Sequence, residues 1–238
     1  MNIKGENMNL ILKNIEKKFN KNVVIDGASY EFESGRIYGL LGRNGAGKTT
    51  LFNIIYKELQ QDSGDIAIEI DGEQKDIKIE DIGMIFAETY LPEFLTGYEY
   101  AKFITDINAP HERNNIDALF DEVNINENDR HKLIKEYSSG MKSKVALLSM
   151  YIQRPKIILL DEPLTAVDII SAQEIKKFFR SLKRDHIVIV STHMLELAKD
   201  LCDDIVLLNK GKLHSIDKLE KDENYENIIV EALRDSDD

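Results

Sequence analysis

The sequence predicts an α/β protein whose core is a parallel sheet covered by helices on both faces. In the second half of the chain, short apolar runs alternate with stretches of helical periodicity. Strands that alternate with helices in this way form parallel sheets, which need a helical layer on each side. In the first half, the apolar run at 37–41 is followed at once by a glycine-rich turn and a helical stretch. This order predicts that a core strand leads through a tight loop into a helix.

The first half of the chain is mostly of β type. Its predicted strands lie at 10–15, 23–25, 29–32, 37–41, 66–70, 77–79 and 82–86. One helix, from residue 48 to about residue 56, interrupts them. The run at 37–41 is almost entirely apolar, so we expect that strand to be buried on both faces.

Helical patterns dominate from about residue 97 to residue 153, and strands return afterwards. The predicted helices lie at 98–107, 115–123, 129–136, 141–152, 169–182 and 194–201, and the later strands at 157–160, 187–190 and 205–208. No Pro-rich or Gly/Ser-rich linker divides the chain. We therefore expect one domain over 8–215, with a helical subdomain at about 88–155 inserted into its α/β core. The acidic remainder, 216–238, is expected to be a short, frayed extension.

Composition excludes several classes of protein. The formal net charge of -12 disfavours nucleic acid as a partner, because phosphate backbones require a basic surface. A single cysteine, Cys202, allows no internal disulfide and is expected to be a small apolar residue within a helix. No run reaches the roughly 20 apolar residues of a membrane-spanning helix, and the polar N-terminus lacks a signal-peptide core. We therefore expect a cytoplasmic location.

A glycine-rich segment matches the phosphate-binding pattern G-x-x-x-x-G-K-[ST]. Its glycines permit positive φ, so successive backbone N–H groups can point at an anion, and the helix that follows adds its own N-terminal amides. Lys48 is expected to bridge the β- and γ-phosphates, Thr49 to ligate magnesium, and Thr50 to lie near the α- and β-phosphates. The alternative, a purely structural turn, leaves the lysine and two threonines unexplained. The predicted phosphate-binding residues are Gly42, Arg43, Asn44, Gly45, Ala46, Gly47, Lys48, Thr49 and Thr50.

Polar residues follow two of the later predicted strands. Asp161 and Glu162 end the apolar run at 157–160, and His193 follows the run at 187–190. Asp161 suits a magnesium-binding role, and Glu162 suits a general base that polarises the attacking water. His193 lies where an adjacent parallel strand can bring it to the γ-phosphate. A histidine or an Asp-Glu pair at a strand end is also an ordinary surface feature, and the upstream phosphate loop is what favours catalysis.

The segment Tyr137-Ser138-Ser139-Gly140-Met141 resembles the signature motif of ABC ATPases, and the residues at 164–168 resemble the D-loop of that family. In the same comparison His193 matches the switch histidine and Phe19 the aromatic residue that stacks on adenine. The resemblance covers about 8–215. It implies a RecA-like P-loop core with an antiparallel β subdomain and an inserted helical subdomain. It also implies that ATP and Mg²⁺ are bound, and that ATP hydrolysis drives transport.

The resemblance also implies partners. Family members work as head-to-tail dimers, in which Ser138 and Gly140 of one copy contact the ATP held by the other; the dimer here is either homomeric or heteromeric. Transmembrane permease subunits are the expected membrane partners. Their docking region corresponds to the stretch 91–100, which leads into the helical subdomain. Four aromatic residues in or next to this stretch either form a docking groove or belong to the helical core: Tyr90, Phe94, Tyr98 and Tyr100. The sequence as a whole resembles ATPases of bacterial exporters for antimicrobial peptides, lantibiotics or drugs, which implies export as the direction of transport.

Some residues depart from the family pattern. Ser139 and Met141 replace the usual glycine and glutamine of the signature. Ala87 stands where the family has a magnesium-binding glutamine, so Glu88 or a water molecule is expected to take that place. Two alternatives to transport remain: a non-transport ABC ATPase, such as a scaffold or translation-type factor, and a simple P-loop kinase. The single cassette argues against the translation factor, and the signature motif argues against the kinase.

Overall fold

The computed structural model describes residues 7–88, 90–108, 115–165 and 167–216. Most of the predicted acidic extension, 217–238, lies outside these residues. The strands are β1 (Met8–Phe19), β2 (Asn22–Glu33), β3 (Ile37–Leu41), β4 (Ser63–Ile70), β5 (Glu73–Asp76), β6 (Ile82–Ile85), β7 (Ile157–Asp161), β8 (Ile187–Thr192), β9 (Asp204–Asn209) and β10 (Lys212–Ile216). The helices are α1 (Lys48–Ile55), α2 (Gly97–Asn108), α3 (Ile116–Glu122), α4 (Glu127–Arg130), α5 (Ser139–Gln153), α6 (Ile169–Leu182) and α7 (Leu195–Leu201).

The core sheet has the strand order β10–β9–β3–β8–β7–β6. The strands β9, β3, β8, β7 and β6 run parallel, as predicted, and β10 adds an antiparallel edge. Register aligns the strand ends, since Asp161 pairs with Ser191 and Leu41 pairs with Thr192. The carboxyl ends of β3, β7 and β8 therefore meet at one edge, which is where parallel sheets bind ligands.

Both faces of the core sheet are covered, and alternate residues of each strand serve the two faces. In β7, Ile158 and Leu160 belong to a buried cluster that includes residues of α5, α6 and α7. Ile157 and Leu159 belong instead to a cluster with α1 and the first strands of the chain. This double burial explains why the central strands are continuous apolar runs.

A second, antiparallel sheet has the order β2–β1–β4–β5. The two short strands predicted at 23–25 and 29–32 are parts of the single strand β2. The strand continues through Gly27, which has a φ of 72°. Asn14, on the neighbouring strand β1, has a φ of 50°. These positive φ values produce register shifts on β1 near Ile15 and bend the hairpin without ending it.

Three other predictions of secondary structure were wrong. The strand predicted at 77–79 is replaced by β5, whose side chains are exposed and polar, and by a 3-10 turn at Ile79–Asp81. The helix predicted at 129–136 is split into α4 and a 3-10 turn, Ile134–Glu136, because Ile134 N–H bonds to Leu95 O at 2.9 Å. Cys202 lies one residue beyond α7, where its buried sulfur packs close to Gly39.

The helical segment between β6 and β7 has its own buried contacts. Arg130 is buried, and its guanidinium bonds to Asp117 at 2.9 Å, to Asp121, and to Ile125 O at 3.1 Å. These bonds tie α4 to α3 and stabilise the segment that leads to α5. Among the described residues, no helix is both long and apolar enough to cross a membrane.

Candidate functional site

The loop at 42–47 connects β3 to α1 and requires its glycines. Gly45 and Gly47 have φ values of 84° and 100°, a region that other residues rarely adopt. A Cβ atom on Gly47 would lie 2.9 Å from Val24 Cγ1, and one on Gly42 would lie 2.9 Å from Leu208 O. No side chain caps α1, so its first N–H groups are free to bind an anion.

Lys48 begins α1 and folds back over this loop. Its buried Nζ donates hydrogen bonds to Gly42 O at 2.7 Å and Arg43 O at 3.2 Å, and lies 3.9 Å from Glu162 Oε1. Burial lowers the pKa of Lys48 below its ordinary value, and the carboxylates of Glu162 and Asp161 only partly offset this effect. Two backbone carbonyls therefore hold the ammonium in place. The Glu162 carboxylate, 3.9 Å away, neutralises its charge only partly.

Asp161 ends β7 and is bonded through both carboxylate oxygens. Thr49 Oγ1 donates to Asp161 Oδ2 at 3.0 Å, and the Ser191 hydroxyl donates to Oδ1. The carboxylate is buried. It thus links the first turn of α1 to the end of β8.

Glu162 leaves the strand in a left-handed conformation, with φ of 48°. Its N–H bonds to Ser191 O at 3.2 Å, and its carboxylate contacts His193 Nδ1 at 2.9 Å and Thr192 Oγ1 at 3.4 Å. A non-glycine residue with positive φ is strained and persists where its surroundings hold it in place. The turn directs the Glu162 carboxylate toward Lys48 and away from the buried position of Asp161.

Lys48, Asp161 and Glu162 line an open cavity of about 370 Å³, and His193 does not. Phe19, half-exposed at 46%, forms one wall, with Lys17 Nζ 5.7 Å from its ring centroid. Gly42, Arg43 and Ala46 do not line this cavity; Arg43 and Ala46 line a neighbouring cavity. The residues that line the cavity are Phe19, Val24, Asn44, Gly45, Gly47, Lys48, Thr49, Thr50, Ala87, Asp161 and Glu162.

Ser138 and Gly140 lie apart from this cavity, at the start of α5. The exposed Ser138 caps the helix, since its Oγ accepts the Met141 N–H at 3.2 Å. Gly140 packs against the start of α6, where a Cβ would lie 2.6 Å from Ser171 Oγ and 3.2 Å from Asp168 Oδ2. Within one copy of the chain, neither residue lines the wall around the loop at 42–47.

Comparison with known families identifies the chain. The family model described as ABC transporter matches residues 25–165, more than half of the chain. This chain belongs to the ABC transporter family. It is an ATP-binding, ATP-hydrolysing transporter subunit, and the resemblance inferred from the motifs is confirmed.

Several curated relatives of this ABC ATPase are similar over most of their length. The uncharacterized ABC transporter ATP-binding protein YhcH of Bacillus subtilis is 33% identical over 91% of this chain and 72% of its own. The lantibiotic transport ATP-binding protein SrtF of Streptococcus pyogenes is 29% identical, covering 92% and 95%. The bacitracin transport ATP-binding protein BcrA of Enterococcus faecalis is 26% identical, covering 84% and 66%.

A solved structure supports the fold. An ATP-binding subunit of an ABC transporter superposes with a TM-score of 0.78 and 22% identity, covering 94% of this chain and 98% of the other. The predicted α/β fold of ABC ATPase type is therefore confirmed.

Ala87 occupies the position of the missing glutamine, and Glu88 was the predicted replacement; the structure places their side chains differently. Ala87 lines the cavity of this ABC ATPase, whereas Glu88 does not. The exposed Glu88 carboxylate instead accepts a hydrogen bond from Tyr90 OH at 2.8 Å. The magnesium role of Glu88 stays a prediction, and the observed geometry gives it no support.

The donor set fits a magnesium ion held mainly by oxygen atoms from outside the protein. Among the described residues, no group of three or more His, Cys, Asp or Glu side chains is placed to hold a metal. The Thr49 hydroxyl and the Asp161 carboxylate, 3.0 Å apart, face the phosphate loop. Magnesium prefers one or two protein oxygens together with water and substrate phosphates. This pair of side chains suits that coordination.

Sequence reasoning assigned no role to two hydroxyls of the site. Ser191 and Thr192 end β8, both fully buried, and each contacts one carboxylate of the 161–162 pair. Two adjacent hydroxyl residues at the end of an apolar strand were the available signal. Their partners became evident only from the register between β7 and β8.

Proposed function

We propose that this ABC ATPase powers the export of a peptide, antibiotic or drug-like molecule through separate membrane-spanning subunits. The observation that carries the proposal is the cavity in which the loop at 42–47, Asp161 and Glu162 face one another. SrtF and BcrA, whose names describe lantibiotic and bacitracin transport, support this class of substrate.

ATP is held by the loop and its flanks in this proposal. The backbone N–H groups of the loop residues that line the cavity, together with those at the start of α1, bind the phosphates. Lys48 exchanges its carbonyl partners for phosphate oxygens. Thr50 lies beside the α- and β-phosphates. The ring of Phe19, exposed at the far wall, stacks on the adenine. Phe19 and Glu162 both line the cavity, so the base lies against Phe19 and the γ-phosphate beside Glu162 in this proposal.

Thr49, with Asp161 behind it, would hold a magnesium ion. The ion would supply positive charge that offsets the charge of the ATP phosphates. Thr49 donates its proton to Asp161, which leaves an oxygen lone pair for a cation. The protein thereby contributes a fixed oxygen ligand and a buried negative charge.

Glu162 is the general base. It takes a proton from a water molecule as the water oxygen bonds to the γ-phosphorus and the bond to the β-phosphate oxygen breaks. His193 holds one Glu162 oxygen at 2.9 Å and is free to turn toward the γ-phosphate. Lys48 stabilises the negative charge that the departing ADP and the phosphate carry.

Two copies of an ABC ATPase complete each ATP site. Ser138 and Gly140, remote from the cavity of their own chain, contact the γ-phosphate of the ATP bound by the partner. Closure does work only because ATP binds the closed pair more tightly than the open one. The dimer is formed by two copies of this chain or by this chain with a second ABC ATPase. The ATPase domain spans 8–215, with its helical subdomain at about 88–155.

Permease subunits dock beside the helical subdomain and hold the protein at the cytoplasmic face of the membrane. Tyr90 and Phe94 are 80% and 79% exposed and offer apolar contacts. Tyr98 and Tyr100 are partly buried against the helical core instead, so the proposed docking surface is narrower than the four aromatic residues suggested.

The mass in solution of the Glu162→Gln variant, with and without Mg-ATP, tests the proposal. The amide retains the shape of the glutamate but removes the base, so ATP persists and the closed dimer should accumulate. A dimer that appears only with Mg-ATP supports a homodimeric motor. A monomer that binds ATP is evidence against homodimerisation, and the addition of a candidate partner ATPase then tests the heterodimer. A variant that still hydrolyses ATP at the wild-type rate removes Glu162 from the role of base.

A further inference from the structure

The hydroxyl of Ser191 lies between the two acidic residues of the site. Ser191 is the penultimate residue of β8, has 0% exposure, and pairs in register with Asp161 of β7. Its hydroxyl donates to Asp161 Oδ1 and accepts the Glu162 N–H at 3.3 Å. One buried side chain therefore contacts both the carboxylate of Asp161 and the backbone of Glu162.

The bond to Ser191 fixes the rotation of the Asp161 carboxylate. Ser191 occupies Oδ1, so Oδ2 is the oxygen that remains for Thr49, at 3.0 Å. A hydroxyl has one proton to donate, and Thr49 donates its proton to Asp161. The oxygen lone pairs of Thr49 are then directed away from Asp161, toward the cavity that both residues line. A metal ion binds to oxygen lone pairs that are oriented in this way.

The same serine supports the turn at Glu162. Glu162 adopts a φ of 48°, and its N–H is shared between Ser191 O at 3.2 Å and Ser191 Oγ at 3.3 Å. A strained conformation persists only where its surroundings stabilise it. Thr192 makes different contacts. Its Oγ1 accepts the Met194 N–H at 3.1 Å and lies 3.4 Å from the Glu162 carboxylate.

We propose that Ser191 is a positioning residue that orients the magnesium-binding hydroxyl of Thr49 through Asp161, and the base Glu162 through its backbone. The inference rests on the proposed roles of those residues. Groups that orient metal ligands typically contribute 10–100-fold to metal affinity or activity. We therefore expect Ser191→Ala to weaken metal binding in the nucleotide complex about tenfold and to slow turnover, while metal-free nucleotide binding stays unchanged.

Titration of Mn²⁺ into the protein with the non-hydrolysable analogue AMP-PNP, followed by electron paramagnetic resonance, measures the metal affinity directly. Binding of AMP-PNP in the presence of EDTA measures the metal-free affinity. Ser191→Cys is a second variant with the same expected loss, because its thiol fills the site but donates only weakly. Should Ser191→Ala fail to fold, the cysteine variant decides the question.

Ser149→Ala is the matched control. Ser149 is also buried, but its hydroxyl donates to Ala146 O inside α5, so the same atom is lost away from the site. This control should keep the wild-type Mn²⁺ affinity. Wild-type Mn²⁺ affinity in a folded Ser191 variant overturns the inference and leaves the proposed function intact. Absence of AMP-PNP and Mn²⁺ binding in the wild-type protein overturns the proposed function itself.

Discussion

Strand β8 has a histidine at each end, and the two side chains lie in opposite environments. His186 precedes the strand, is buried, and contacts Pro155 O through its Nδ1 at 2.5 Å. Burial lowers its pKa below the ordinary value, although the Pro155 carbonyl and Asp185 act in the other direction. His193 follows the strand, with a side chain 45% exposed and bonded to Glu162. The amino edge of the sheet thus keeps its imidazole neutral and fixed, whereas the carboxyl edge presents one to solvent.

Two lysines extend the same contrast. Lys156, at the amino edge, forms an ion pair with Asp81 at 2.8 Å. Burial raises the pKa of Asp81, but hydrogen bonds from Lys156 and the Lys78 N–H outweigh it, and the net pKa is lowered. Lys48, at the carboxyl edge, is held by backbone carbonyls and is 3.9 Å from the nearest carboxylate. Lys156 has a charged partner at contact distance, and Lys48 keeps its charge for a ligand.

The two edges of the core sheet therefore have different roles. Polar groups at the amino edge are paired with protein partners and contribute to stability. Polar groups at the carboxyl edge surround a cavity next to the glycine-rich loop, and no residue of that loop lines the larger amino-edge cavity around His186. Parallel sheets bind ligands at the carboxyl edge. Changes at that edge should therefore cost rate or affinity, and changes at the opposite edge should cost stability alone.

The largest effect is expected at Glu162. In Glu162→Gln the water loses its proton acceptor, so the steady-state ATPase rate should fall by about 10²–10⁴-fold, with unchanged free energy of unfolding. A coupled phosphate-release assay and urea denaturation measure the two quantities. Glu73→Gln, an exposed site on β5, is the matched control and should retain the wild-type rate. A Glu162→Gln protein that is slow because it is unfolded contradicts the assignment of this edge to chemistry.

Replacement of each lysine by alanine tests the comparison directly. A hydrogen bond to a charged group is worth about 1.5–3 kcal/mol, so Lys48→Ala should weaken ATP binding about 10–100-fold. Lys156→Ala should leave ATP affinity unchanged and lower the free energy of unfolding by about 0.5–1 kcal/mol, since its side chain is 38% exposed. Calorimetric titration with ATP and urea denaturation of both variants give the four values. If Lys48→Ala and Lys156→Ala lose similar amounts of ATP affinity, the carboxyl edge is not the part of the sheet that binds the ligand.

The sequence was sufficient where residues act through local pattern. Helix α6 has the predicted bounds, since Asp168 caps it with hydrogen bonds to the N–H groups of Ile170 and Ser171, both 3.0 Å long. The groups at the carboxyl edge were also predictable, because each follows an apolar strand or a glycine-rich turn. Parallel topology brings Lys48, Asp161 and Glu162 to one cavity, whereas His193 is not among the residues that line it. Their chemical roles stay predictions.

The sequence was insufficient where structure depends on a distant partner. Strands β5 and β10 carry no apolar alternation, and they exist because β4 and β9 offer free edges to them. The partial burial of Tyr98 and Tyr100 depends on the packing of α2 against α5. The contacts of Ser191 depend on the register of two strands that are about thirty residues apart in sequence. No local pattern encodes such contacts.

The smallest effect concerns the buried histidine. Because the folded-state pKa of His186 is lowered, the unfolded chain binds a proton at a higher pH, near 6.5. Stability is therefore fully present above that pH and is lost as pH falls through it, by at most about 1.4 kcal/mol per pH unit. His186→Asn keeps a donor for Pro155 O but does not titrate. Urea denaturation between pH 7.5 and 5.5 should show a shallower loss of stability in this variant than in the wild type, with unchanged ATPase activity.

His214→Asn, at an exposed position of β10, controls for the loss of a histidine. If wild type and His186→Asn lose stability in parallel, the neutral imidazole at the amino edge does not contribute as the structure indicates.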